Sequence, residues 1–540
     1  MPEIILPGTY ITVRDEGLIT AGRVATGNIG IVGTASKGPL GDVQILGTFT
    51  EARELFGEAD DWMGGTQNEL TLIRALEQVY NNGGRTVYAV RVADGATSKA
   101  AEFQFKNGAD DLVKLTAKTP GAWANDILVF IRPSDGVNAL VREELIGTAT
   151  ALNRGNVVES GINSLRVLRN TGNIDLTIRY TGAPAAGEVQ INKTTGGLTF
   201  HASLAPTAAD KFAVRYETSA AQKIEFHYRG GKESYLVADA AQLAEKINRS
   251  SNFLSAPVAA AFEPTFFKKQ ATSYAPVLGT NGAAASVNDY KSGLAKLEND
   301  IINIVLLAGQ DASSGGQVAS LQGHLNFTAE NKRERIGLMG SGSDDLNGIA
   351  GHNLASERLI FVAPGIKDSN GSNLPGSYAA AAVAGLISSL AVQASPTNKS
   401  LTIAGLSTTF SASQLEKLVQ NRVLVLEKRE GFRIVKGITT ATNSAWHQIT
   451  TRRIVDFAIY GVRSGCNPYI GKLNNDRVRG ALKATLDAFL TRMVEDEALI
   501  NYELEVSANR AQEIAGECIV TMIVRPTFSI DFVKVTMFLE

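Results

Sequence analysis

Between residues 276 and 400, short apolar runs alternate with stretches of helical character, and this alternation constrains the fold more than any other feature of the chain. Ile301 to Ala308, Ile336 to Met339 and Leu359 to Ala363 are apolar runs of strand length. Helical stretches, among them Asp289 to Asn299 and Ala379 to Ser389, alternate with and flank them. A strand that is apolar on both faces needs cover on both faces, which points to a parallel sheet with helices packed against it. The longest apolar run, Ala379 to Val392, is interrupted by Ser388 and Ser389. It is shorter than the ~20 residues that cross a bilayer, so a buried helix is expected there.

The same reading divides the rest of the chain. Residues 1–25 form an extended arm, because Pro2 and Pro7 disfavour helix and only Tyr10, Ile11, Thr12 and Val13 make a strand-like run. Residues 26–97 read as an α/β layer. Ile29 to Gly33 is a buried strand, and Thr48 and Glu51 have capping-box spacing with Gly57 as the stop. Leu72, Ile73, Leu76, Val79 and Tyr80 share a helical face, and Thr86 to Val92 returns as a strand. Residues 98–275 turn to β, with alternation at Ile174, Leu176, Ile178 and Tyr180, at Phe212, Val214 and Tyr216, and at Ile224, Phe226 and Tyr228. A helix near Asp239 to Asn248 closes this region. Residues 276–400 are the α/β segment already described. Residues 401–525 form an α+β unit with strands at Arg422 to Leu426, Phe432 to Ile438, Tyr502 to Val506 and Ile519 to Val524. Its helix, Asp476 to Glu495, carries Val478, Leu482, Leu486, Phe489, Leu490 and Met493 on one side. Residues 526–540 form a strand arm after Pro526. The fold class expected is therefore α/β and α+β multidomain.

Composition excludes some functions. Among 540 residues, 52 Lys and Arg face 54 Asp and Glu, a formal net charge of -2. A dedicated nucleic-acid binder needs a basic excess, so none is expected as partner. Two cysteines, Cys466 and Cys518, are too few for a disulfide framework and fit folding in a reducing cytoplasm. The start of the chain lacks a basic region followed by a long apolar core, so no signal peptide and no direct membrane insertion are expected.

Catalytic motifs are missing: no HExxH, CxxC, Walker A or GxSxG occurs. No two of His201, His227, His324, His352 and His447 have metal-pair spacing, and no metal or cofactor is expected. The acid pairs Asp60-Asp61, Asp110-Asp111 and Asp344-Asp345 lack an EF-hand context. The best enzyme candidate is the loop Gly340 to Asp345, with Ser341, Asp311 and His352 as a conceivable Ser/His/Asp set. An ordinary polar loop, with Asp344 or Asp345 opening the next helix, accounts for it better.

Four segments, in order, carry a family resemblance. They are Gly30-Ile31-Val32-Gly33-Thr34 with Gly38-Pro39, then Phe56-Gly57 with Asn82-Gly83-Gly84 and Val87 to Val92. The third is Pro120 to Asp126 leading into Ile127 to Ile131, and the fourth is Arg452-Arg453-Ile454, the helix from Asp476 and Arg525-Pro526-Thr527. Together they resemble contractile tail sheath proteins of bacteriophages and phage-like particles, over nearly the whole chain. The resemblance implies an inner domain made from both chain ends, with a subtilisin-like α/β domain and outward β-rich domains inserted. It implies a non-enzymatic subunit, without cofactors, that stacks as hexameric rings around a tail tube. Its partners would be itself, the tail tube protein, and the baseplate and tail-terminator proteins. Its place would be the virion tail, or a phage-like particle, assembled in the host bacterial cytoplasm. The arms at Tyr10 to Val13 and at Ile530, Phe532, Val533, Val535 and Met537 would complete sheets in neighbouring subunits. The sequence supports this role, since both ends are strand-forming segments without a core of their own and an apolar edge strand needs cover. Gly17, Gly22 and Gly27 would act as joints. Arg510 and Glu513 are candidates for contact with the tube, and a solvated helix face explains them equally well. Two other readings remain open at this stage: a hydrolase on residues 276–400, and a β-rich surface adhesin on residues 98–275.

Overall fold

The structure is a computed structural model and describes residues 25–62, 64, 69–229, 231–257, 269–531 and 533–537. The expected arm strand Tyr10 to Val13, the joints Gly17 and Gly22, and Phe532 lie outside the described residues. The chain forms two units. The first comprises the described residues of 1–35, 40–94 and 284–540, and the second comprises 36–39 and 95–283.

The first unit is built on a nine-stranded sheet. Its order is Val43–Leu46, Val87–Arg91, Ile29–Gly33, Ile304–Asp311, Ile336–Gly340, Leu359–Ala363, Leu424–Lys428, Phe432–Ile434 and Ser400–Leu401. The strands from Val87–Arg91 to Leu424–Lys428 run parallel, and antiparallel strands flank them. Alternate residues serve opposite faces, as the pleat requires. Ile29, Ile31, Leu306 and Ala308 pack with the helices Leu72–Asn81 and Gly376–Ser389. Val32, Val305 and Leu307 pack with Tyr290 and Leu294 of Val287–Lys296 and with Leu321 and Leu325 of Gln317–Glu330. The long apolar run is thus a helix inside a protein core, and among the described residues no helix is long and apolar enough to cross a membrane. Gly385 lets this helix approach its neighbour closely, because a Cβ there would collide with the Val79 carbonyl.

Several local expectations meet small corrections. The Thr48 hydroxyl accepts from the Glu51 N–H at 3.2 Å, but the Glu51 carboxylate accepts from Gly47 rather than from Thr48. The helix expected from Asp289 starts at Val287, because Asp289 closes a capping box with Ser286. Strands from residues 29–91, 304–363 and 400–434 hydrogen-bond into one sheet, so the division drawn at 400/401 falls within a single layer, whereas that at 97/98 lies three residues from the change of unit at 94/95. Pairing between segments hundreds of residues apart leaves no local trace in composition.

The second unit is mainly β. A six-stranded sheet runs in the order Leu198–Phe200, Glu188–Ile191, Ile174–Arg179, Ser164–Leu168, Lys211–Thr218, Ala139–Ile146. Val141, Val167, Phe212, Val214 and Tyr216 fill its core. A second core joins the three-stranded sheet Gly231–Val237, Gln222–Tyr228, Leu128–Pro133 to a four-stranded sheet and the helix Ala240–Ser250. Asp239 caps that helix by accepting from the Gln242 N–H at 2.9 Å, and a bidentate Arg154 fixes the carboxylate.

Candidate assembly site at the C-terminal end

The helix Asp476–Glu495 starts where the Asn475 side chain accepts from the Val478 N–H at 3.0 Å. Of the side expected to be apolar, Leu482, Leu486, Leu490 and Met493 are buried, while Val478 and Phe489 are half-buried. Leu490 and Met493 share a core with Ile454 and Ala458 of the helix Ile449–Cys466. Gly461 is required there because a Cβ would enter the Phe489 ring.

A hairpin of Leu499–Ser507 and Ile519–Pro526 covers this core. Tyr502, Leu504, Met522 and Val524 face inward, and the Tyr502 hydroxyl donates to the Asp487 carboxylate at 2.6 Å. Glu503, Glu505, Thr521, Ile523 and Arg525 face solvent. Among the described residues, neither strand pairs with a third, so both edges of the hairpin present free main-chain donors and acceptors.

The chain then leaves the hairpin as an extended tail. Ser529 N–H donates to the Gln448 side chain at 3.2 Å. Asp531 accepts from Gln448 Nε2 at 3.2 Å and lies 3.4 Å from Lys436 Nζ. This anchor was not read from the sequence, where Asp531 is a lone acid in an apolar alternation. The strand expected over Ile530 to Leu539 does not form in this chain among the described residues, because alternation supplies a face but not a hydrogen-bonding partner. Ile530, Val533, Val535 and Met537 are 82%, 79%, 77% and 85% exposed.

Arg510 and Glu513 lie on a short helix, Arg510–Ala515, within the hairpin connection. Glu513 accepts from Arg510 at 3.1 Å and from Arg479 at 3.1 Å. Those two bonds, first that from Arg510, hold its carboxyl below the usual range. The Arg510 side chain is 83% exposed, so the outward charge of the pair is the guanidinium.

Behind the hairpin, the helix Ile449–Cys466 carries a buried ionic network. Asp456 takes both terminal nitrogens of Arg358, at 2.9 and 3.1 Å, and Arg452 Nη2 at 2.7 Å. Arg453 donates to the carbonyls of Leu390, Ala391 and Thr26 at 2.9, 3.1 and 3.2 Å. Burial pushes its pKa down to about 10, which leaves it charged at neutral pH. Asn303 donates to the Ala25 carbonyl at 2.9 Å, so residues 25 and 26 are held from two sides.

The conceivable Ser/His/Asp set is not brought together. Asp311 and Ser341 to Asp344 line a cavity of about 320 Å³. The His352 ring bonds the Asn421 carbonyl at 2.7 Å and packs on Phe361 instead. Asp345 opens the helix Leu346–Ala350 by accepting from Gly348 at 2.7 Å, the ordinary role weighed for it. Among the described residues, no group of three or more His, Cys, Asp or Glu could hold a metal ion.

Comparison with known proteins gives this architecture a class. The fold resembles a sheath tail protein from Listeria innocua, with a TM-score of 0.59 at 13% identity over 94% of each chain. It also resembles one from Desulfitobacterium hafniense, with a TM-score of 0.57 at 14% identity, covering 96% of this chain and 100% of the other. The sheath of an extracellular contractile injection system, solved in the contracted state, gives 0.51 at 10% identity over 100% and 99%. The fold is that of contractile sheath proteins. Residues 283–440 match the family model for the phage tail sheath protein central domain, and residues 441–540 match that for the phage tail sheath C-terminal domain. The tail sheath protein of Bacillus phage SP01 is 22% identical over 92% of this chain and 90% of its own length. Residues 283–540 thus carry phage tail sheath domains, and the homologues and structural neighbours of the chain are contractile tail sheath proteins.

Proposed function

We propose that this subunit polymerises as stacked hexameric rings around a tail tube and contracts to drive the tube through a target cell envelope. The observation that carries the reading is the pairing of a two-stranded hairpin with open edges and an apolar tail that, among the described residues, has no strand partner in its own chain. Each is incomplete alone, and each is what the other lacks. A neighbour's tail, or the segment at Tyr10 to Val13, adds to the hairpin edge through main-chain hydrogen bonds. Body movement against fixed arms then converts a strained extended lattice into a wider one of lower energy.

In this reading the inner domain combines both chain ends, the parallel sheet belongs to a subtilisin-like domain, and the second unit faces outward. The parallel order of Ile304–Asp311, Ile336–Gly340 and Leu359–Ala363, with helices on both faces, supports the middle element. The tail tube, baseplate and tail-terminator proteins are the other partners, and Arg510 is the candidate for tube contact. The particle is assembled in the bacterial cytoplasm and works in the virion tail.

Negative-stain microscopy of the purified chain tests the proposal. The intact chain is expected to form ribbed tubes or rings, and chains lacking residues 1–20 or 526–540 are expected to remain single subunits. Tubes that persist after both deletions refute strand exchange as the link.

A further inference from the structure

The solvent face of the three-stranded sheet in the second unit concentrates like charges. Strand Gln222–Tyr228 turns Ile224 and Phe226 to the core and Lys223, Glu225 and His227 to the other side. Its neighbours place Arg132 opposite Lys223 and Lys232 opposite His227. Like charges directly across a strand pair are destabilising, so stability alone does not call for this set. Glu225 gathers the cations. Its Oε1 lies 2.9 Å from Lys223 Nζ and 2.8 Å from Lys232 Nζ, and its Oε2 lies 3.5 Å from Arg132 Nε and 3.4 Å from His227 Nε2. The carboxylate side chain is 3% accessible beneath Arg132 and Lys232, which are 55% and 47% accessible. Leu128, Phe130, Ser234 and Leu236, which the register puts on the same face, carry no charge. One carboxylate against three permanent cations leaves a positive platform turned to solvent.

Charge is also divided between the units. Residues 36–39 and 95–283 hold four more basic than acidic side chains, whereas the remainder holds six more acidic than basic. In the first unit a groove of about 280 Å³ is lined by Asp60, Asp61, Glu77 and Asp368. Arg74 in this groove is engaged by Asp60 at 3.3 Å and by the Trp62 ring at 5.0 Å, and Lys367 is its other cation. Asp61 and Glu77 are exposed.

We propose that the Arg132, Lys223 and Lys232 platform of one subunit docks on the acidic groove of a second copy of this chain. The inference rests on the reading that the chain assembles with itself. Complementary charges at such a contact set the rate and salt dependence of association more than its ultimate strength.

The test is assembly of the full chain at rising sodium chloride, followed by sedimentation and electron microscopy. R132E/K223E keeps Lys232 on Glu225 and is expected to lower the assembled fraction about fivefold at moderate salt, equivalent to ~1 kcal/mol. D61K/E77K is expected to do the same, and the combination of all four changes is expected to restore assembly. The neutral R132Q/K223Q serves if charge reversal unfolds the sheet, with circular dichroism as the check, and half the loss is expected from it. A variant platform with the wild-type salt profile overturns the proposal. Loss that the swap does not rescue overturns it as well, and points to another anionic partner such as an acidic glycan. A wild-type chain that stays monomeric overturns this contact and the self-assembly reading together, whereas wild-type tubes with an indifferent platform overturn the contact alone.

Discussion

Asp456 offers the sharpest probe of how the C-terminal helices are held. Its carboxylate accepts three charge-assisted hydrogen bonds, two from Arg358 and one from Arg452. The Arg358 and Asp456 side chains are each 11% accessible and Arg452 is 4% accessible. Asp456→Asn keeps the volume and removes the charge, leaving two guanidinium groups close together in a poorly solvated space. Arg452 retains Glu357 at 2.8 Å, whereas Arg358 loses its hydrogen-bonded carboxylate and keeps the Arg335 carbonyl at 3.3 Å and the nearby charge of Glu334. Breaking one partner of a buried ion pair costs ~3–5 kcal/mol, because the remaining charge is uncompensated. In a unit this large each kcal/mol lowers Tm by ~2 °C, so a shift of about 6–10 °C is expected. Differential scanning calorimetry at pH 7, resolving the transition of the first unit, measures it. The paired Arg358→Met/Asp456→Leu change should recover most of the loss, since an apolar pair of similar size is often tolerated. A Tm for Asp456→Asn within about 1 °C of wild type would show that the network is solvated and contributes little, as exposed ion pairs do.

Arg453→Met should release Thr26 from the body without emptying the pocket, while Asn303 still holds Ala25. Faster tryptic cleavage near Arg23 is expected, with a loss of ~2–4 kcal/mol from the carbonyls of Thr26 and Leu390, whereas that of Ala391 keeps the Ala394 N–H at 3.0 Å. His324 gives a pH dependence. Burial, and then the nearby Arg335, push its pKa from 6.5 down to about 3. The unfolded chain therefore binds a proton that the folded chain refuses, so stability falls as pH drops from about 6.5 towards 3. Thermal melts across that range should show a shallower slope for His324→Gln, and an unchanged slope would refute the assignment.

Elements defined by local pattern were legible in the sequence. The helix Asp476–Glu495 has the bounds its periodicity predicts, and the run Leu359–Ala363 is a strand over the same residues. The positions of caps were readable to within two residues, as Ser286 and Asp289 show. What pairs with what was not. Nothing near Ile29 reveals that its strand lies beside Ile304. Arg452 and Asp456 stand one helical turn apart among apolar residues, a signal that a buried ion pair leaves on a helix. Arg358, the third member, has no such signature. The tail shows the opposite limit. Its alternation marks Val533, Val535 and Met537 as one face, yet a strand exists only against an edge, and among the described residues its own chain supplies none. The sequence likewise placed Arg510 and Glu513 one turn apart, but not the Arg479 guanidinium that shares Glu513.

The anchor at Asp531 turns the tail into a tether of defined length. Met537 lies six residue steps beyond Asp531, and an extended chain spans at most ~3.3–3.6 Å per residue, so Met537 stays within about 22 Å of the anchor. An edge in another subunit that pairs with Val533 to Met537 must come within that radius. Sliding or rotating two subunits further apart would first load the Lys436 and Gln448 contacts with Asp531. If the tail pairs with a neighbour as proposed, the length of this short leash, rather than the strength of the strand pairing, sets how far neighbouring bodies can separate before the link comes under tension.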